Sequence, residues 1–330
     1  MRSEAMTVLM LVCATGAGCS RRQEPEKAVP AAASPPPSAA SAATPAPSAS
    51  ASASLTPKQF FAQDPLGPQL EAAPSTGATN PVHVTFDWSP PCRVPALYVV
   101  TRQGHTARMR MIVSLGPAAE GFTLALRDMT LLRLDALDAT RPDVARALAP
   151  TAALMTNMPT ARISPAGAFL GARDMDAYAT KLATSLAGSP IPELRRVAPM
   201  ARAPEVQKLM EEDLRALWSS WVETWLAVSL APGAETITTL PAVAGGRTKS
   251  ATVLIQNRGA VREAPQLSLL SVHEAIADPK GEALSVVALD AAHDRPYHAR
   301  YEVRDDGADA GPAEVHETAF DWAHAVGCGR

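Results

Sequence analysis

The residues of this chain whose types and spacing come nearest to metal chemistry lie in one stretch, AHDRPYH, which holds His293, Asp294, Tyr297 and His298. Imidazole nitrogens and carboxylates are common zinc ligands, and two histidines five positions apart could reach one ion. No cysteine or third histidine stands at ligand spacing, and the proline favours a turn between two strands. We therefore interpret the stretch as a turn and predict no metal site.

Three further stretches approach known motifs without matching them. DDGADAG, with Asp305, Asp306 and Asp309, is too short and wrongly spaced for a calcium-binding EF-hand loop. GGRTKS, at 245–250, lacks the spacing of a phosphate-binding Walker loop, and VHEAI, around His273, has no second histidine four residues on. No G-x-S-x-G elbow is present. We predict a protein that is not an enzyme and needs no cofactor, although a fold can assemble a triad from distant residues.

The first residues, 1–18, are typical of a secretion signal, with an apolar run, MTVLMLV, that is too short to span a membrane as a helix. The junction TGAGCS resembles the lipobox of bacterial lipoproteins, in which the cysteine, here Cys19, becomes the acylated N-terminus. Gly16 stands where that family usually has a large aliphatic residue, and Glu4 is unusual in a signal. Ordinary signal cleavage and no secretion at all are the alternatives.

The resemblance implies a bacterial envelope protein that is held in a membrane by its acyl chains. Ser20 follows the cysteine, and by the same resemblance the lack of an acidic residue there implies the outer membrane, facing the periplasm. The stretch after Cys19 is rich in Ala, Pro and Ser and lacks the apolar residues of a core, so residues 19–79 are predicted to form a disordered tether followed, from Leu55, by a poorly ordered lead-in. Residues 80–330 are predicted to form one domain. The net charge of −3 and the absence of a basic stripe argue against nucleic acid as a partner.

Two cysteines of the domain, Cys92 and Cys328, are predicted to form a disulfide, because an exported chain meets an oxidising compartment. Each follows a copy of the sequence FDW, and each copy ends a segment with strand-like alternation. A disulfide needs neighbouring backbones. We therefore predict that the first and last strands of the domain are adjacent, with Trp88 close to Trp322. Two free thiols, or an internal duplication, are the alternatives.

Strand patterns, then helix patterns, then six further strand patterns follow one another along the domain. This order predicts an α+β fold: a curved antiparallel sheet, half-barrel or barrel-like, with helices inserted mid-chain and packed on one face. In outline the arrangement is similar to the half-barrel lipoprotein-carrier domains of the bacterial envelope, which hold an apolar cavity under a helical lid. No motif carries that similarity, so it assigns no residues.

The clearest helix pattern is predicted to begin at Pro204 and to end at Pro232 and Gly233. It carries a stripe of tryptophans, Trp218, Trp221 and Trp225, at helical spacing. The stripe either packs into the core or lines a pocket for lipid or another apolar ligand. The two functional hypotheses are accordingly a lipoprotein that binds or carries an apolar ligand, and a non-enzymatic structural or protein-interaction lipoprotein.

Overall fold

The computed structural model describes residues 70–73, 81–102, 104–190, 192–226, 228–241, 250–277, 280–291, 293, 295–305 and 314–328. The predicted signal, Cys19 and most of the predicted tether lie outside the described residues. So do nearly all of the GGRTKS and DDGADAG stretches.

Antiparallel strands dominate the described part of the chain. Their bounds are β1 (Val82–His83), β2 (Cys92–Arg102), β3 (His105–Ala118), β4 (Gly121–Leu134), β5 (Leu137–Asp138), β6 (Thr160–Ile163), β7 (Phe169–Arg173), β8 (Ser229–Leu230), β9 (Glu235–Pro241), β10 (Ser250–Val261), β11 (Ala264–Ala277), β12 (Lys280–Asp290), β13 (Arg295–Asp305) and β14 (Glu314–Phe320).

The helices are inserted between β5 and β8, as predicted. They are α1 (Pro142–Met155), α2 (Met175–Ala187), α3 (Pro192–Val197) and α4 (Pro204–Trp221), with short 3₁₀ turns at Ala198–Arg202, Glu223–Trp225 and, after β14, Trp322–His324. The α1 helix was not predicted. Its alanines and its proline at the first turn give a weak periodic signal, and its partly buried Leu148 and Met155 pack on the core.

Twelve strands form one sheet, in the order β7-β6-β4-β3-β2-β14-β13-β12-β11-β10-β9, with β5 beside β4. Strands β1 and β8 pair separately. The α+β class with a large antiparallel sheet is therefore confirmed. The sheet is open, with β7 and β9 as its end strands, and it is not strongly curled.

Alternation along the strands gives the sheet two distinct faces. In β3, Met109, Met111 and Val113 are buried, whereas the intervening Arg110 is exposed, because successive side chains of a strand point to opposite sides. We call the side that carries these buried residues, against which α4 packs, the inner face. We call the opposite side the outer face.

The predicted adjacency of the two ends of the domain is confirmed, with one correction. The last strand, β14, pairs with β2, and the rings of Trp88 and Trp322 lie 5.0 Å apart. The first FDW copy, however, does not end a strand of the large sheet. Only Val82 and His83 before it form a strand, β1, and β2 begins after it, at Cys92. The side chains of Phe86 and Trp88 pack in the core. The backbone between β1 and β2 therefore does not pair with a neighbouring strand of the large sheet.

The long helix is shorter than predicted. It begins at Pro204 but ends at Trp221, not near Pro232. The backbone of Val222 leaves the helical conformation, and a 3₁₀ turn brings Trp225 back so that its indole Nε1 donates to the Ser220 carbonyl. Burial of Trp225 thus overrides the helical periodicity of the sequence.

Candidate functional site

The tryptophan stripe lies between α4 and the inner face. Trp218, Trp221 and Trp225 are at most 1% exposed. Each indole N–H has a partner, as a buried donor requires. The bonds run from Trp218 to the Gly167 carbonyl (2.7 Å), from Trp221 to Thr318 Oγ1 (3.0 Å) and from Trp225 to the Ser220 carbonyl (2.9 Å).

Further aromatic rings surround the stripe. Trp88 stands edge-on to Trp218 at 5.6 Å, and Trp221 stands edge-on to Phe320 at 5.3 Å. Edge-to-face rings at these distances attract one another beyond simple burial. Both FDW copies therefore contribute to the same aromatic cluster, which is the physical reason for the likeness of the two chain ends.

A small apolar cavity remains beside the carboxyl end of α4. It encloses about 10 Å³, which is close to the space of one water molecule. All of its lining residues are apolar, and they come from the segment before β2, from α4 and the turn after it, and from β12. They are Val84, Phe86, Trp221, Val222, Trp225, Leu226 and Leu289.

Cys92 and Cys328 form a disulfide in the structure. The chain reaches this point because Arg93 exchanges two backbone hydrogen bonds with Val326, each 2.9 Å long. Gly327 then turns with a positive φ of 79°, and a side chain there would collide with the Pro91 carbonyl. The residue before Cys328 must therefore be glycine for the bridge to close in this way.

A polar network lies on the inner face near the middle of α4. The Tyr98 hydroxyl and His316 Nδ1 are 2.5 Å apart, and His316 Nε2 is 2.5 Å from a Glu314 carboxylate oxygen. Arg102 adds an ion pair to the other oxygen of Glu314 at 3.5 Å. The His316 ring thus lies between a phenol hydroxyl and a carboxylate, with one ring nitrogen towards each. We call Tyr98, Arg102, Glu314 and His316 the polar network.

Asp213 of α4 faces the polar network. Its side chain is partly buried, and no hydrogen bond to its carboxyl is found among the described residues. Burial raises the pKa of Asp213 to about 6, and the charge of Glu314 adds to the rise while those of His316 and Arg102 oppose it. Burial also raises the pKa of Tyr98. For Glu314, burial works in the same direction, but the hydrogen bond and charge of His316 outweigh it and lower the pKa.

These shifts limit what the polar network can do chemically. A tyrosine whose pKa is raised stays protonated at neutral pH, so Tyr98 donates a hydrogen bond and is a poor nucleophile. The network therefore holds strands β2 and β14 in register at the end where Asp213 approaches. The sequence analysis missed it, because Tyr98 and His316 are 218 positions apart. The one local signal is the spacing of Glu314 and His316, which share a strand face.

The residues of the AHDRPYH stretch do not act together. His293 Nδ1 lies 3.0 Å from an Asp290 carboxylate oxygen, whereas His298 belongs to β13 and is 1% exposed. Burial, with a smaller contribution from the charge of Arg300, lowers the pKa of His298 to about 3. Within the ranges that the structure describes, no three His, Cys, Asp or Glu side chains gather as metal ligands.

No protein-family model matches this chain, and no curated protein matches it. Among the described residues no helix has the length and apolar character needed to cross a membrane.

Proposed function

We propose that this chain is a lipid-anchored, non-enzymatic protein of the bacterial cell envelope whose solidly packed domain acts as an interaction module. The lipobox-like TGAGCS junction at Cys19 supports the anchor. The observation that carries the functional part is the filled space between α4 and the inner face, where Trp218, Trp221 and Trp225 are buried and hydrogen-bonded.

The small volume of the cavity beside α4 is the physical reason to favour a packed module over a ligand pocket. Pockets for small molecules usually enclose roughly 300–1,000 Å³, whereas the cavity beside α4 encloses about 10 Å³. Indole rings occupy the space between α4 and the inner face, and the N–H groups of Trp218 and Trp221 would lose their partners if α4 moved away. With the space under α4 filled, as far as the structure describes it, the domain is better suited to contact other envelope components through its surface.

A second candidate function is the binding of an apolar ligand, such as a lipid, under α4. The mainly apolar lining of the small cavity favours it, since a ligand could enlarge such a crevice with few polar groups left unpaired. A bend of the sheet into a half-barrel belongs to this candidate. One hydrophobic cluster takes Val253 from β10 and Phe169 from β7, which lie near opposite ends of the strand order, and such a bend would bring the two closer.

Native mass spectrometry of the full chain with Cys19→Ser, which cannot be acylated, separates the two functions. We expect the mass of the protein alone. A reproducible adduct that transfers into organic solvent would contradict the packed-module proposal and support ligand binding. In that case Leu226→Trp, which fills the cavity, should abolish the adduct, whereas Ile237→Trp, on the exposed part of β9, should retain it.

A further inference from the structure

Six exposed arginines lie on the outer face of five neighbouring strands. Strand register places them there, because they alternate along their strands with residues that face the core and are paired across strands with residues that also face away from it. In the described part of the chain none of them forms an ion pair with a carboxylate. We call this set the arginine face; it consists of Arg93 of β2, Arg110 of β3, Arg127 and Arg133 of β4, Arg162 of β6 and Arg173 of β7.

The arginine face is positive although the whole chain has a net charge of −3. At the paired, outward positions of these strands, as far as the structure describes them, there is no Asp or Glu. Three acids adjoin the face: Asp128 in the irregular stretch of β4, Asp138 of β5, and Glu317 of the neighbouring β14. Asp138 is the strand partner of Arg133 and interacts with its charge, and it also accepts hydrogen bonds from Thr140. Glu317 already forms an ion pair outside the face. Positive charge is therefore concentrated on this part of the sheet.

The chain enters the domain on the same side. Leu70 and Ala72 pack against a hydrophobic cluster on the outer face of β10, β11 and β12 that includes Leu269 and Ala288. Ala72 also forms a β-bridge with Val261. The N-terminal part of the chain, which carries Cys19, thus joins the outer face and not the face covered by α4.

From these two observations we propose that the arginine face docks on the phosphate headgroups of an anionic phospholipid bilayer. This inference rests on the proposed function, since it names the partner of the interaction module. Guanidinium groups bind phosphate oxygens in pairs of hydrogen bonds, and basic side chains near an anionic bilayer each add to the attraction. At a strand spacing of about 4.8 Å, five strands present a face roughly 20 Å wide, which suits an extended surface of many headgroups.

Nucleic acid fits this face less well. Proteins that bind single strands stack the bases on aromatic rings, but Tyr98, Phe122 and Phe169, the aromatic residues of these strands, lie on the inner face. Reading of a duplex uses a helix or a narrow two-stranded ribbon that enters a groove. A broad sheet face has neither shape.

Vesicle sedimentation tests the proposal. The full chain with Cys19→Ser is mixed with vesicles of phosphatidylcholine alone, or of phosphatidylcholine with an equal amount of phosphatidylglycerol, at low and high salt. The N-terminal apolar residues are common to all variants. The variant Arg110→Glu/Arg127→Glu reverses two charges of the arginine face, and Arg146→Glu/Arg196→Glu reverses two exposed charges on helices α1 and α3.

We expect binding that increases with phosphatidylglycerol, weakens with salt, and falls about tenfold or more in the arginine-face variant. The helix variant should bind as the parent does, and near-ultraviolet circular dichroism should show both variants folded. Equal losses in the two variants, or binding that ignores phosphatidylglycerol, would overturn the proposal. So would binding of duplex DNA without binding of vesicles. These failures leave the packed module intact, because that proposal fails only if an extractable adduct is found.

Discussion

Two stretches of α4 meet the same sheet in opposite ways. At the carboxyl end Trp218 and Trp221, joined by Trp225 from the following turn, fill the space with rings whose N–H groups are all hydrogen-bonded. Near the middle of the helix Asp213 brings a carboxyl group towards Glu314 without a hydrogen bond among the described residues. The indole N–H groups of the first stretch are satisfied, whereas the second stretch keeps a group that water would solvate better.

Aromatic packing and a pH-sensitive carboxyl group are therefore found on different stretches of a single helix. Burial of aromatic surface stabilises the fold at any pH, since indole rings do not titrate. A partly buried acid near another acid stabilises the fold only when protonated. Substitutions that change either the packed stretch or the polar stretch alone should remove or increase the contrast between them.

The largest effect is expected from Trp218→Ala at the packed end. Removal of a fully buried indole leaves a cavity and an unpartnered Gly167 carbonyl, so the free energy of unfolding should fall by about 3–5 kcal/mol. Denaturant titration measures the change. Trp322→Ala, at a partly buried ring of the same cluster, is the control and should cost less. A loss below about 1 kcal/mol at Trp218 would show that the stripe is not the core.

A somewhat smaller effect is expected from the disulfide beside the same cluster. Replacing both Cys92 and Cys328 by serine opens a loop that spans 236 positions, and the free energy of unfolding should fall by about 2–4 kcal/mol. Denaturant titration of the parent with and without a reducing agent provides the comparison, and the serine variant should not respond to that agent. An identical midpoint for oxidised and reduced parent would contradict this contribution.

In the middle of α4, Asp213→Asn should change how the free energy of unfolding depends on pH. The folded-state pKa of Asp213, about 6, lies above its ordinary value of 3.8, so the folded protein holds the proton more tightly. The free energy of unfolding of the parent should therefore decrease as pH rises from about 4 to 6 and stay lower above that window. The asparagine variant should lack this decrease and should therefore be more stable than the parent at pH 7. We expect a difference of about 1–2 kcal/mol, which is smaller than the full pKa shift would give, because partial exposure screens the charge of Asp213.

Thermal unfolding across that pH range measures the Asp213 effect. Glu212→Gln is the matched control, since the neighbouring Glu212 pairs with Lys208 at 3.7 Å and its charge makes only the smallest contribution to the raised pKa of Asp213. If Glu212→Gln flattened the curve as much as Asp213→Asn, the effect would belong to the general charge of α4 and not to the carboxyl that faces Glu314.

The smallest effect is expected from Tyr98→Phe. The ring and its packing remain, but the hydrogen bond to His316 Nδ1 is lost, so the free energy of unfolding should fall by about 1 kcal/mol. Nitrogen chemical shifts of His316 should report the loss of the bond at Nδ1. Tyr178→Phe, which removes a hydroxyl bound to the Asn157 carbonyl outside the network, should leave those shifts unchanged.

Local pattern predicted much of the fold. Strand patterns before and after the helix patterns indicated the sheet, Pro204 marked the start of α4, and the two cysteines of the domain indicated the pairing of its ends. The end of α4 could not be predicted in the same way, because burial of Trp225 competes with helical periodicity and only the surrounding core decides between them.

The arginine face shows the same limit for a surface. The sequence analysis found no basic stripe, because the arginines are spread from position 93 to position 173 and never stand in a run. Arg110 and Arg127 come near each other only when Arg127 pairs with Ile112 across β3 and β4.

Residue spacing and the number of available cysteines were enough to predict the type of most main elements, the order of strands and helices, and the disulfide partners, but not helix α1. The contact of Tyr98 with His316, the filling of the space under α4 by tryptophans, and the gathering of six arginines on one face depend on the tertiary structure. Strand pairing sets the neighbours of Tyr98, His316 and the arginines, and a one-residue change of register would move each of these strand side chains to the opposite face.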